Sequence, residues 1–589
     1  MDVIERPDEA FISTPTYTLG WRRDRPGWLR FSLPDAPPLE LWVAATADTT
    51  AARDVARAVW PPTLRSTPPT LVVRGRGGVW ERRCYVVRCW PDHLELWQEV
   101  EGRGSLDRVA WLAGRTPEGG AQGSQHQAPL LFTPEPHADA RQLLPAGAEA
   151  RVDVGSDPTF HRGHWFFTPA PYCFALGPLG RGWLGLGLAV RPGEHTFTSF
   201  RREAVPDLAL VAEYEGHTEV RGAWESPHLL LFPSRGPYEA LTWYCDTLRR
   251  RKLAPGTDGR RAAWWLEPLF CGWGEQFALA GREMASREAE ASAPPDVASL
   301  ARAAASQATQ ANYERFLAAL DRHGLDPGTV VVDDGWQTSY GSNDVHRGRW
   351  PDLPGFIAAQ HARGRRVLLW LKAWDPTGVP AEACVVDSER GPVAVDPASP
   401  AYQALLRDQV RRLLREYGAD GFKIDFTHRA PRGRHLRHAG PWGVELLRIL
   451  LAVLHDAAVE ARPDALVVAH AANPYFHDVV NVLRLNDVPI VPGQERFVDA
   501  MRHRARVARA AGPGWAIDTD NWPAPSKAAW RAYLEEQPLL GVPALYYATR
   551  IFWRHDDGRV VDEPLAEDDY AAVRRVWQRY RAERLETTA

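Results

Sequence analysis

Between Leu266 and Ile551, eight short apolar runs of strand character alternate with stretches of helical spacing. The runs are Leu266–Gly274, Thr329–Trp336, Arg365–Trp374, Gly421–Phe426, Ala465–His470, Val482–Asp487, Gly514–Trp522 and Ala544–Ile551. Helical patterns cover Asn312–His323, Pro354–Arg363, Pro400–Tyr417, Gly443–Ala461, Phe497–Ala511 and Lys527–Glu536, and Asp568–Arg584 supplies a helix after the last strand. Strands joined through helices run parallel, and eight of them predict a (β/α)8 barrel, the TIM barrel. Such a barrel gathers its functional side chains at the C-terminal ends of its strands. Those ends carry Trp273, Asp333, Asp334, Lys372, Trp374, Lys423, Asp425, His470, Asp487, Asp518 and Asp520.

The preceding residues have a different texture. Short alternating runs such as Leu39–Val43, Arg83–Cys89, Trp183–Val190 and His228–Phe232 are punctuated by glycine and proline, the pattern of an all-β sandwich. Ser234–Arg251 reads as a helix and Lys252–Arg261 as a linker. The expected organisation is multidomain: a β-sandwich with a terminal helix over 1–250, a linker over 251–262, and the barrel over 263–589. One connection is long: Gln276–Gln310, rich in alanine and serine, reads as a loop leaving the functional face, either part of a lid or a surface excursion.

Composition narrows the function. With 45% hydrophobic and 24% charged residues and a net charge of −4, the chain reads as an ordinary soluble protein with no leaning toward nucleic acid or an anionic membrane. No apolar run reaches membrane-spanning length, and the start of the chain lacks a signal-peptide pattern, so a cytoplasmic location is the expectation. The six cysteines have no metal-ligand spacing, Cys84 and Cys89 read as reduced core thiols on a strand, and neither a metal nor another cofactor is expected.

The fourth run carries the sharpest signal. In Gly421-Phe422-Lys423-Ile424-Asp425-Phe426, Lys423 and Asp425 share one face of a strand whose other face is apolar. A buried ion pair that only fixes packing would explain these two residues alone. Carboxylates at several other strand ends favour catalysis: two carboxyl groups flanking one bond are what glycoside hydrolysis needs. Asp425, beside a cation, suits the ionised nucleophile. Asp487, followed by the apolar Val488-Pro489-Ile490-Val491, suits a protonated general acid. Asp518 and Asp520 are alternatives for that role. Asp333 and Asp334 precede Gly335, where a turn lets both approach a ligand and accept hydrogen bonds from hydroxyl groups. Trp273, Trp336, Trp370 and Trp374 offer apolar faces suited to sugar rings, and Lys372, Lys423, His470, Asn473, Asp518 and Asp520 complete the candidate substrate-binding set.

These motifs resemble glycoside hydrolase family 36, the α-galactosidase family, whose clan also holds families 27 and 31. Asp333-Asp334-Gly335-Trp336 is similar to its second-strand motif, whose acids hold sugar hydroxyls, and Trp350–Phe356 with Gly364–Trp370 resembles its third-strand approach. Lys423-Ile424-Asp425 resembles its Lys-Trp-Asp nucleophile motif, and Asn486-Asp487 its Ser-Asp acid/base motif. The resemblance covers Leu266 to Tyr547 and implies a retaining α-glycosidase acting on an α-linked glycoside, with Asp425 as nucleophile and Asp487 as acid/base. The chain departs from the family at Ile424, at Leu371-Lys372-Ala373-Trp374-Asp375 where Glu-Pro-Glu is common, and at His470 to Tyr475. It also has no sign of the usual small C-terminal β domain. The alternatives are another α-glycosidase or a raffinose-synthase-like transglycosidase of the same clan. From other classes come a non-catalytic sugar-binding protein and a metal-dependent barrel hydrolase. Lys372 and His470 leave room for an anionic or modified sugar.

Overall fold

The computed structural model describes residues 1–118, 120–135, 142–147, 151–155, 168–204, 207–256, 261–288, 297–488, 496–555 and 559–588. The N-terminal part is built from antiparallel sheets. Asp2–Glu5, Glu9–Ser13, Thr18–Arg22, Trp28–Ser32 and Leu39–Trp42 form a five-stranded meander; the first four of these strands precede any strand anticipated from the sequence. A 14-stranded sheet is organised around two long strands, Leu94–Trp111 and Ala209–Glu225, paired from Glu99↔Glu225 to Trp111↔Leu210. The helix Pro237–Arg250 packs on this sheet through Ala240, Leu241, Tyr244 and Leu248, one apolar stripe at helical spacing. The Tyr244 hydroxyl donates to Leu188 O at 2.7 Å.

The remainder is a parallel, nearly closed eight-stranded barrel. Its strands are β1 (Leu269–Cys271), β2 (Thr329–Val332), β3 (Arg366–Lys372), β4 (Gly421–Asp425), β5 (Leu466–Ala469), β6 (Val482–Arg484), β7 (Ala516–Asp518) and β8 (Ala544–Leu545). Neighbours in this order pair in parallel and β8 returns to β1, while β7 and β8 meet through the single bridge Asp518↔Val542. Every residue of β2 and β5 is buried, as parallel strands covered on both faces require. Gly421 sits at φ +154°, where a Cβ would lie 2.0 Å from Leu466 O, so the close approach of β4 to β5 needs glycine. Among the described residues no helix is long and apolar enough to cross a membrane.

Each anticipated barrel strand is present but shorter. The Gln276–Gln310 loop is a correction. Trp273–Glu288 and Val297–Ser306 are helices, and residues 289–296 lie outside the described set. Alanine, which reads as loop-like when hydrophobic periodicity is sought, has the highest helix propensity. Phe277, Ala278 and Ala280 of the first helix and Leu300 and Ala304 of the second form a small core with Phe552 and Trp553.

The sheet-rich part braces the barrel at the ends of β4 and β5. Thr168 N donates to His470 O at 3.2 Å, Asn473 N to Pro169 O at 2.9 Å, and the Thr168 and Thr427 hydroxyls lie 2.7 Å apart. His195 stacks on Tyr475 with ring centroids 3.9 Å apart.

Candidate active site

Lys423 and Asp425 both point into the barrel, as their shared face predicts, but they are not partners. Lys423 Nζ bonds Asp333 Oδ2 at 2.7 Å, and both side chains are 4% exposed. The Cys271 thiol donates to the same oxygen at 2.9 Å, and burial, then the Asp333 charge, holds it well above its ordinary pKa. Burial alone would lower Lys423, but its acidic neighbours, Asp333 foremost, together outweigh it and raise its pKa.

Asp425 is matched instead to Arg484, which sequence reasoning missed. This guanidinium is 1% exposed and holds three carboxylates. Nη2 donates to Asp425 Oδ1 at 3.1 Å, while Nη1 donates to Asp487 Oδ1 at 3.0 Å and Asp520 Oδ2 at 2.7 Å. Asp425 also accepts from Phe426 N at 2.8 Å and from Trp370 Nε1 at 3.3 Å. Burial pushes Asp425 upward, but Arg484 and then Lys423 outweigh it and hold the carboxyl well below its ordinary range. The signal that marked Lys423 was also present at Arg484: a charged residue inside an otherwise apolar strand, Val482-Leu483-Arg484.

Asp487 has the opposite balance. Its side chain is 34% exposed, yet its carboxyl is pushed up to about 7. Burial of the carboxyl is the main cause; Arg484 opposes it, and the Asp520 and Asp425 charges add to it. The residues Pro489-Ile490-Val491, which framed the sequence argument for Asp487, lie outside the described set.

The β2 tip forms the opposite wall. Asp333 N donates to the Tyr313 hydroxyl at 2.7 Å, that hydroxyl donates to Gln276 Oε1 at 2.8 Å, and Gln276 Nε2 donates to Asp334 O at 2.9 Å. This relay fixes both aspartates. Gly335 makes the turn at φ +100°, where a Cβ would lie 1.9 Å from Ala305 O. Burial pushes Asp334 up to about 7, a hydrogen bond from Tyr340 opposing it and the Asp333 charge adding to it. Asp334 Oδ1 has no hydrogen-bond partner among the described residues.

The other candidates divide by placement. Lys372, in register with Asp425, pairs with Asp375 at 2.8 Å and lies 4.3 Å from the Tyr340 ring centroid. Asp518 Oδ1 accepts from Asp520 N at 2.9 Å, and its carboxyl is raised to about 6 by burial and the Asp520 charge. The Tyr546 hydroxyl donates to Asp520 Oδ2 at 3.2 Å, and its ring faces Lys423. Trp273 is half-buried, edge-on to Trp522. Trp336 and Trp374 are enclosed, their indole N–H groups bound to Trp370 O and Thr427 O at 2.8 and 3.0 Å. His470 bonds the Thr427 hydroxyl at 2.7 Å and is kept neutral, its pKa pushed down to about 3 by burial and Arg484. Asn473 donates to Ala170 O at 3.0 Å and accepts from Tyr475 N, joining the barrel to the sheet-rich part. Among the described residues no three His, Cys, Asp or Glu side chains are placed to hold a metal ion.

No protein-family model matches the chain, and no curated protein matches it in sequence. Solved structures share its fold. An α-galactosidase from Thermus thermophilus, solved with stachyose, superposes with a TM-score of 0.51 at 15% identity over 87% of this chain and 99% of its own. A GH31 family sulfoquinovosidase from E. rectale, solved with an aza-sugar inhibitor, gives 0.55 at 11% identity over 98% and 82%. A cycloalternan-degrading enzyme from Trueperella pyogenes, solved with a covalent intermediate, gives 0.52 at 15% identity over 88% and 72%. At these identities the likeness is one of architecture, a sheet-rich part followed by a parallel barrel.

Proposed function

We propose that this chain is a retaining α-glycosidase, of α-galactosidase type, acting by double displacement. The observation that carries the reading is the contrast across Arg484: one guanidinium touches Asp425, whose pKa is held well below the ordinary carboxylate range, and Asp487, whose pKa is pushed up to about 7. Two acids whose environments drive their protonation apart are what an acid–nucleophile pair requires. In the first step Asp425 Oδ attacks the anomeric carbon while Asp487 donates its proton to the departing glycosidic oxygen. The sugar is then ester-linked to Asp425. Asp487, now ionised, takes a proton from water, which attacks the same carbon and releases Asp425. Asp334 and Asp333 hold the sugar hydroxyls.

The galactoside preference rests on the Asp333-Asp334-Gly335-Trp336 and Lys423-Ile424-Asp425 resemblance, with the fold likeness beside it. A panel of α- and β-linked nitrophenyl glycosides, assayed with and without EDTA, tests it. Nitrophenol release from the α-galactoside, unaffected by EDTA, is expected. Release from β-glycosides alone, or loss of activity with EDTA, contradicts the reading.

A further inference from the structure

The Asp487 carboxyl is held from one side by Arg484, and its backbone is held from the other by a second buried arginine. Arg504 lies on the helix Arg496–Ala511 and is 0% exposed. Its Nη1 donates to Leu485 O at 2.7 Å, Asn486 O at 3.1 Å and Asp487 O at 2.8 Å. Three successive carbonyl oxygens converge on one nitrogen only if the chain curls around it. Asn486 supplies the curl, with φ at +66°, in the left-handed region that costs a non-glycine residue energy. The neighbouring amides are also fixed: Leu485 N donates to Asp518 O at 2.9 Å and Val488 N to Trp522 O at 2.7 Å.

A guanidinium in a helix's inward stripe is expensive to bury. Along this helix Phe497, Met501, Arg504, Ala508 and Ala511 recur at helical spacing, and all are buried. An apolar residue at position 504 would continue the stripe, but it would leave those three carbonyls without this donor. The cation therefore sits where it stabilises one particular loop conformation, the one that carries Asp487.

We infer that Arg504 is a positioning residue for Asp487: its clasp on the 485–487 carbonyls holds the strained turn that aims the acid at the departing oxygen. This rests on the acid/base role proposed for Asp487. Displacing a proton donor by about 1 Å costs on the order of a hundredfold in the step it serves, so the effect should track the need for protonation.

The test compares Arg504→Gln, Arg504→Lys and Asn486→Val with the wild type on aryl α-glycosides of graded leaving-group pKa. Circular dichroism and melting curves run alongside. Asn486→Val attacks the turn from the acceptor side while keeping both arginines in the sequence, and it keeps the test alive if Arg504→Gln does not fold. For Arg504→Gln and Asn486→Val, kcat/KM should drop about a hundredfold on the poorest leaving groups and little on the most activated. The alkaline limb of the pH profile should shift, and Arg504→Lys should recover part of the loss. An equal loss across all leaving groups with an unmoved pH profile would make Arg504 merely structural and overturn the inference. Asp487→Ala separates the two levels. If it too shows no leaving-group dependence, the acid/base reading fails. If it does while the clasp variants do not, only the clasp fails.

Discussion

Asp425 and Asp487 sit on the two terminal nitrogens of one guanidinium, that of Arg484, at 3.1 and 3.0 Å. A cation shared between two acids would ordinarily ionise both. Here the share is unequal. Asp425 also has the field of Lys423 and the Phe426 amide, whereas Asp487 shares its arginine nitrogen with the buried Asp520. The charge asymmetry that the proposed chemistry needs therefore follows from how the neighbours are distributed.

Replacing Asp425 with Asn should remove turnover while the fold persists, because Arg484 keeps Asp487 and Asp520 as partners. Loss of a nucleophile closes the covalent route, so kcat should fall at least about a thousandfold. Azide should partly rescue Asp425→Gly on an activated substrate, giving a glycosyl azide of inverted configuration. Wild-type-like activity in Asp425→Asn would remove Asp425 from the mechanism.

The pH profile should carry the signature of Asp487. The acid works protonated and its pKa is raised to about 7, so activity on substrates with poor leaving groups should fall as pH rises through that value. Asp425, held low, stays ionised across the same range and sets no limb there. In Asp487→Ala the alkaline limb should vanish for activated aryl glycosides. A limb that persists unchanged would assign it to another group, such as Asp518.

Removing the shared cation with Arg484→Met should destabilise the protein in a pH-dependent way. In the wild type Asp425 is depressed, so its contribution to stability is present above the unfolded carboxylate pKa and lost as pH falls. Without Arg484 the buried carboxylates face one another, their pKa values rise, and stability then declines as pH increases. The deficit should approach about 3–5 kcal/mol at high pH, the cost of stranding a buried charge, and shrink toward acid pH. Urea unfolding across pH measures it; a pH-independent deficit would contradict it.

The adjacent aspartates should separate in their effects. Asp333→Asn leaves the Lys423 ammonium buried without its carboxylate and should cost about 3–5 kcal/mol of stability. Asp334 is raised to about 7, so ionising it costs the folded state stability, a cost that sets in above the ordinary carboxylate pKa and is complete above about 7. Asp334→Asn should thus be at least as stable as the wild type at alkaline pH, yet lose roughly tenfold to a hundredfold in kcat/KM through a missing hydrogen bond to substrate. Melting temperatures and kinetics on the same samples decide between them; equal effects on stability would contradict the assignment.

The barrel was legible because its eight parallel strands, buried on both faces, stand out as apolar runs. Asp425 and Lys423 were legible because charge inside such a run is costly. Arg484 carried the same signal in a shorter run and went unread. Arg504 is one of five arginines on its helix, and only its place on the inward stripe with Phe497, Met501 and Ala508 distinguishes it. The pairing of Lys423 with Asp333 was out of reach, since it depends on how β2 and β4 face each other across the barrel rather than on any spacing along the chain. Alanine hid the helices Trp273–Glu288 and Val297–Ser306, because a run of small residues shows little amphipathic contrast.

In the proposed mechanism Asp425 forms the bond to the sugar. Mass spectrometry after incubation with a slow fluorinated α-glycosyl fluoride tests this most directly. A mass gain of one glycosyl unit is expected on the peptide spanning Gly421–Phe426, located at Asp425 and absent in Asp425→Asn. A glycosyl label on Asp487, Asp518 or Asp520 instead, or turnover of the reagent with inversion and no label, would contradict it.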